Sequence, residues 1–253
     1  MKYNIPTALR PYQCQGLIRL GKNYDGGYIV NKEDILNADG LISFGVSYDW
    51  TFERDFAAFR DVPIVAYDGS VNLKKIWKHN LKNIFRIDRF EIMMEAYYGI
   101  FNLYSFFDGK KHKFESLYVG SDSNCNSEFI CLEKVVERAE FKPFFIKMDI
   151  EGSEYSLLND LLILAPLTSG LCLEFHKVQE NLIQIIEFIE NYPLTLVHTH
   201  INNCAPASKN GLPQLIELSF SQSQMKCEFV RDLPTKLDMS NSPKLDLPEI
   251  EFI

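Results

Sequence analysis

Short apolar runs alternating with helical patterns predict an α/β fold built on a mostly parallel sheet. Phe144 to Met148 is apolar apart from Lys147, too short for a helix and bounded by Pro143, which is how a strand buried on both faces reads. Pro63 to Asp68 repeats the pattern and also ends in an acid. A polar turn follows the first of these, then an amphipathic stretch from Glu154 to Leu164. In open sheets of this kind ligands bind just beyond the carboxyl ends of the strands.

Residues 1–20 carry Pro6 and Pro11 and read as an irregular arm. Asp25-Gly26-Gly27 between apolar runs predicts a β-hairpin, and adjacent glycines let backbone come close to a ligand. Gly40 to Gly45 reads as the first core strand and Val46 to Asp49 as its turn. Trp50 to Arg60 reads as the first helix, with Phe52, Phe56 and Phe59 as its stripe and Glu53 in its first turn. After the second strand at Pro63 to Asp68 comes a basic helix through about Asn83. Its Lys74, Lys75, Lys78 and Lys82, with Arg86, fit a solvated face better than a phosphate-binding patch. Ile92 to Phe101 reads as helix, then Leu103 to Phe107 and Lys113 to Val119 as strands joined at Asp108-Gly109. Gly120 to Ser127 is a polar connector and Glu128 to Ala139 a helix.

Beyond the central strand, Ser153 is the expected N-cap of the helix to Leu164. Gly170 to His176 and Leu194 to His200 read as strands around a helix from Asn181 to Asn191, and Leu212 to Phe220 as the last strand. Residues 221–253, with Pro234, Pro243 and Pro248, read as an extended tail lying on the domain or on a partner, a candidate route to a homo-oligomer. The expected division is an arm at 1–39, a main domain at 40–220 and an extension at 221–253.

A length of 253 residues suits one decorated α/β domain. The net charge of -8 argues against nucleic-acid binding, because no basic surplus displaces counterions from phosphates. The 6 cysteines form no Cys-x-x-Cys pair, and they read as reduced thiols of a cytoplasmic protein. The most apolar window, Leu157 to Leu173, is broken by Asn159, Asp160, Pro166 and Gly170 and does not read as a membrane span.

Parallel strands put their C-termini on one edge: Gly45, Asp68, Asp149 with Glu151, Glu174 with His176, and His198 with His200 and Asn202. An imidazole titrates near working pH, so His176 or His200 is the candidate base, oriented by Asp149 or Glu174. The same groups also make a candidate divalent-metal site at Asp149, Glu174 and His176, whose mixed oxygen and nitrogen donors suit Mg, Mn, Fe or Zn. Glu174 pairing with Lys147 is the plainer expectation for that acid. Asp68 lies 23 positions after Gly45, the spacing at which an acid meets ribose hydroxyls in nucleotide-binding folds. Of a Gly-x-Gly-x-x-Gly fingerprint only Gly45 is present, with Ser47 and Asp49 at the following alternate positions, which argues against a dinucleotide pyrophosphate.

Lys147-Met148-Asp149-Ile150-Glu151-Gly152-Ser153-Glu154 resembles the signature of the FkbM-type S-adenosylmethionine-dependent methyltransferases. Further matching pieces are Asp25-Gly26-Gly27-Tyr28, Ser43-Phe44-Gly45, Phe52-Glu53, Tyr67-Asp68-Gly69-Ser70 and His198-x-His200-x-Asn202-Asn203, so the resemblance covers roughly residues 20–220. It implies a Rossmann-like class I methyltransferase fold: a mostly parallel seven-stranded sheet with helices on both faces, plus an N-terminal hairpin arm. It also implies S-adenosylmethionine as cofactor and methyl transfer to an oxygen, often on a sugar of a surface polysaccharide or on a secondary metabolite. The cofactor positions that follow are Gly26, Gly27, Tyr28, Gly45, Ser47, Glu53, Asp68, Gly69, Ser70, Ser121, Asp122 and Asp149. The catalytic candidates are Asp149, Glu151, His176 and His200. Two other classes stay open: a metal-dependent hydrolase using the Asp/Glu/His cluster without the donor, and a non-catalytic partner subunit. The acceptor itself, a small molecule or glycan, is not legible.

Overall fold

The structure, a computed structural model, describes residues 2–71, 102–121, 126–208 and 210–253. Outside them lie the expected basic helix to Asn83 with its lysines and Arg86, the helix expected from Ile92 to Phe101, Asp122 and Cys125. Strands β1 (Lys2–Ile5), β2 (Leu17–Leu20) and β3 (Tyr28–Asn31) precede a short helix α1 (Lys32–Asn37). Then come β4 (Gly40–Phe44), α2 (Thr51–Phe59), β5 (Ile64–Tyr67), a helical turn α3 at 102–106 and β6 (His112–Glu115). The small strands β7 (Tyr118–Gly120) and β8 (Phe129–Cys131) lead through α4 (Leu132–Arg138) to the central β9 (Phe144–Met148). After α5 (Leu158–Leu164) follow β10 (Thr168–His176), α6 (Val178–Asn191), β11 (Thr195–Asn202), β12 (Leu215–Ser221) and β13 (Glu249–Phe252).

Seven strands form the main sheet in the order β11-β12-β10-β9-β4-β5-β6. Every neighbour pair is parallel except those of β12, which runs against both β10 and β11. The chain moves outward from β4 to β5 and β6, then returns to β9 on the other side of β4. The crevice between the ends of β4 and β9 is therefore the place where strand order reverses.

Residues of β9 alternate between two apolar layers, which is why the run lacks a polar face. Phe145 packs with Ile35 of α1, Phe52 and Phe56 of α2, and Leu20, Tyr28 and Val30 of the hairpin. Phe144, Ile146 and Met148 pack with Val135 of α4, Leu158 and Leu161 of α5, and Ile185 and Phe188 of α6. Phe59 does not join its expected stripe and is exposed.

Several elements differ from expectation. Leu103 to Phe107 is aromatic-rich like a strand, yet Phe107 N–H donates to the Leu103 carbonyl at 2.8 Å. Both residues are buried four positions apart, the helical spacing of one face. The Asp108-Gly109 turn therefore joins a helix to β6. The strand expected from Lys113 to Val119 is broken after Glu115, and its second part pairs as β7 with β8 in a separate parallel ladder. The helix expected from Glu128 begins only at Leu132, because Phe129 to Cys131 is used by that ladder. The arm is not irregular at its start: β1 pairs in parallel with β13, Lys2 opposite Glu249, so the tail lies on its own chain. Hence β12 is not the last strand, and α1 is an element the periodicity did not announce. Among the described residues, no helix is long and apolar enough to cross a membrane.

Candidate active site

The carboxyl ends of β4, β5 and β9 enclose a cavity of about 360 Å³, within the range of small-molecule sites. Its lining brings together Gly45, Ser47, Asp68, Gly69, Ser70, Asp149 and Glu151 from the expected set. Leu117, Tyr118, Val119 and Phe129 form a wall that sequence reading missed. The Tyr118 and Phe129 rings lie 5.3 Å apart between centroids, inclined by 31°, an aromatic wall against which a planar base can pack. A side chain at Gly69 would strike the Tyr118 ring within 2.3 Å, so glycine is what lets that wall close in.

Backbone geometry marks the same spot. Gly45 has φ +74°, and a Cβ there would sit 1.5 Å from the Asp149 carbonyl oxygen, so β4 and β9 meet only because it is glycine. Ser47 and Glu151 also have positive φ, 51° and 56°. Two of the described residues that carry this strain without being glycine thus face the cavity, where strain collects at functional sites.

Asp68 is set by its own loop. Its Oδ2 accepts from Ser47 N–H at 2.6 Å, and its Oδ1 accepts from the Ser70 N–H at 2.7 Å and hydroxyl at 2.6 Å. A carboxylate offers about four acceptor sites, so about one remains for a hydroxyl in the cavity. At the N-terminus of α2, Asp49 accepts from the Thr51 N–H at 3.1 Å and hydroxyl at 2.7 Å and pairs with Lys22 at 2.7 Å. An acid there disfavours a phosphate, in keeping with the missing glycine fingerprint. The groups present (one open carboxylate and a ring wall) fit an adenosine that carries a cationic sulfonium.

At the opposite end, Tyr28 donates its hydroxyl to Asp149 Oδ2 at 3.1 Å. Below it, the buried Lys147 donates to the Gly45 carbonyl at 2.7 Å and lies 5.5 Å from the Tyr28 ring centre. Burial pulls the Lys147 ammonium down, but the charges of Asp149 and Glu53 outweigh it and hold it above the usual lysine range. Glu53 is fully buried under β4 and accepts from Ser43, so it supports Lys147 and does not line the cavity. The expected Glu174–Lys147 pair is not formed; Glu174 instead accepts from the Asn202 amide at 2.8 Å. Burial, with the charges of Asp149, Glu217 and Asp25, raises Glu174 well above the carboxylate range.

His176 stands behind the two acids of the rim. Its Nδ1 meets Glu154 Oε1 at 3.0 Å, and its Nε2 lies 3.4 Å from Glu151 and 3.9 Å from Asp149. Glu154 Oε1 also accepts from the Ile150 N–H at 3.2 Å and the Gly152 N–H at 3.1 Å. The turn is therefore capped by Glu154, and the Ser153 side chain makes no cap. In the neutral tautomer that gives Nδ1–H to Glu154, Nε2 is the acceptor on the rim side. Burial depresses His176, yet the bond and charge of Glu154, then Asp149 and Glu151, raise it overall. Glu154 is the site residue that sequence reading passed over; an acid two places past Gly152 in the tight turn was its signal.

Five candidates fall elsewhere: His200, Gly26, Gly27, Glu174 and Ser121. His200 is 3% exposed, with Nδ1 on Asp238 at 2.7 Å and Nε2 on Asn241 at 2.9 Å, so neither nitrogen is open to a substrate. Asp238 also takes His198 at 3.0 Å, and the three form a buried knot tying β11 to the tail. Gly26 packs on Asp49 and Gly27 on Lys22, outside the cavity lining. Among the described residues, two groups bring metal-competent atoms within 4.8 Å of one another: the buried His198, His200 and Asp238 of the knot, and Asp149, Glu151 and His176 at the rim, a group without Glu174. Ser121 follows β7 and is not in the lining.

The knot has a pH signature. Burial lowers His200, but Glu217 and Asp238 raise it to about 9. A histidine raised in the folded state contributes fully below its unfolded value near ~6.5 and loses that contribution as pH rises through its folded value. Melting curves between pH 6 and 10 should show stability falling from about pH 6.5 to about 9. His200→Gln should flatten that slope, and an unchanged slope would deny the charged pair.

The sheet order, with its single reversed strand, is the Rossmann-like class I methyltransferase arrangement. No family model matches the chain, and no curated protein matches it. Among solved structures it is similar to WbdD, at 12% identity over 78% of this chain and 39% of that one, with a TM-score of 0.38. It is similar to a protein of Galdieria sulphuraria described as a sarcosine dimethylglycine methyltransferase, at 10% identity over 76% and 81%, TM-score 0.40. A third is the 23S rRNA methyltransferase ErmE, at 8% identity over 78% and 69%, TM-score 0.38. The chain thus spans well under half the length of WbdD.

Proposed function

We propose that the protein is an S-adenosylmethionine-dependent O-methyltransferase of FkbM type, acting on a hydroxyl of a sugar or glycan intermediate of polysaccharide biosynthesis. The observation that carries this reading is the cavity at the strand-order reversal, lined by Asp68, Asp149 and Glu151, with His176 behind the last two. S-adenosylmethionine supplies an activated methyl group on a cationic sulfonium. Asp68 would hold a ribose hydroxyl, Tyr118 and Phe129 would form the wall against the adenine, and Asp149 would face the positive centre. The chain then has two tasks: alignment of the acceptor oxygen with the methyl group and removal of one proton. His176 Nε2 accepts that proton, while Glu154 holds the imidazole by its other nitrogen and balances the charge it gains.

A second reading is favoured by one observation, the clustering of Asp149, Glu151 and His176 around a common point. These residues would hold a divalent ion that acidifies the acceptor hydroxyl or, without a donor, a water for hydrolysis. Incubation with labelled S-adenosylmethionine and a panel of sugar hydroxyls, with and without chelator, separates these. Label transfer that survives chelation supports the base reading. Metal-dependent turnover indifferent to S-adenosylhomocysteine supports the hydrolase, and no donor binding at all supports a non-catalytic subunit.

A further inference from the structure

We propose that Cys14 and Cys227 form a dithiol site that oxidises to a disulfide and staples the N-terminal arm to the C-terminal tail. Tyr12 and Phe229 make an antiparallel bridge with stacked rings 4.4 Å apart. The bridge is flanked by Val230 N–H to the Pro11 carbonyl at 2.9 Å and Gln13 N–H to the Glu228 carbonyl at 2.7 Å. That bond pattern makes Tyr12–Phe229 a non-hydrogen-bonded pair. Extending the register of this isolated bridge two residues along each strand sets Cys14 opposite Cys227 on the same face. Cα atoms in such pairs lie near ~4.5 Å, inside the span that a disulfide bridges.

The side chains agree with this register. Cys227 Sγ lies 3.4 Å from the Gln13 carbonyl oxygen. Burial holds the Cys14 thiol up at about 11, with smaller contributions from Asp34 and from the Cys227 thiol itself, so the two sulfurs are near enough to feel each other. Arg10 fixes the ladder from beside it, donating to the Val230 carbonyl at 2.8 Å and the Arg231 carbonyl at 3.1 Å. Cys227 is exposed and Cys14 half-buried, whereas Cys172 is sealed inside the sheet.

A glutathione disulfide supplies the oxidant. The exposed Cys227 thiolate attacks one of its sulfurs and expels a glutathione thiolate; Cys14 then loses its proton and attacks the Cys227 sulfur, expelling the second. Two protein thiols are oxidised and one disulfide is reduced to two glutathiones. The link joins residues 213 positions apart in the sequence, so it removes a large closure entropy from the unfolded chain.

The test equilibrates the full chain across reduced and oxidised glutathione mixtures, alkylates the remaining thiols, and maps the peptides by mass. Expected is a protein lighter by two hydrogens, with one cross-linked peptide containing Cys14 and Cys227. Its melting temperature should be higher by on the order of 10 °C. Reductant should reverse both changes, and Cys14→Ser or Cys227→Ser should each abolish them. Both thiols staying alkylatable throughout, a glutathione adduct on Cys227 as the end point, or a link to Cys204 would each overturn the proposal. These outcomes do not depend on the enzymatic reading.

Discussion

His176→Gln is expected to lower kcat by roughly 10²- to 10⁴-fold while leaving donor binding within about twofold, the loss typical of removing a general base. The geometry gives the reason. His176 touches the rim through Nε2 and the buried Glu154 through Nδ1 and shares no bond with Asp68, which is held by Ser47 and Ser70. Its replacement therefore removes a proton acceptor and leaves Asp68 in place. The pH profile supplies the readout that a structural role would not move. The base works neutral, and Glu154 raises its folded-state value, so the rising limb of kcat/KM should lie above the ordinary histidine value near ~6.5. Glu154→Gln removes the charge that raises it, and the limb should slide to lower pH. Wild-type rates in His176→Gln would remove imidazole from the chemistry.

Asp68→Ala should weaken S-adenosylmethionine binding on the order of 10- to 100-fold. A hydrogen bond to a charged group contributes about 1.5–3 kcal/mol when its partner is buried with it. The substitution also frees the Ser47 and Ser70 amides, which now converge on that carboxylate, so the loops that shape the cavity lose their common anchor. Asp68→Asn keeps an acceptor for part of this geometry and should fall between wild type and alanine. Isothermal titration of the variants measures the series. Equal affinity in all of them would mean that the ribose lies elsewhere.

The sheet was legible wherever a strand is buried on both faces, because such runs are uniformly apolar: β4, β5, β9 and β10 all lie where sequence places them. The hairpin was legible from its glycines, and the acids of the rim from their place at strand ends. What the sequence hid was set by partners distant in the chain. Leu103 to Phe107 has strand-like composition, yet its buried pair lies four apart on a helix packed over β6. His200 sits at a strand end as expected, but Asp238 and Asn241 come from a proline-rich tail and close over it, turning a candidate base into a clasp. Glu154 reads in sequence as the start of a helix, and its role shows only where three nitrogen groups meet one of its oxygens. The cavity wall at Tyr118 and Phe129 arises from a ladder only three residues long, too short to leave a pattern.

The most direct test of the adenosine site is an equilibrium titration of the wild-type chain with S-adenosylhomocysteine, read by calorimetry and by amide hydrogen exchange. A saturable one-to-one heat is expected, with protection confined to Gly45 to Ser47, Asp68 to Ser70 and Tyr118. Absence of binding, or protection that avoids those three strand ends, would contradict the account.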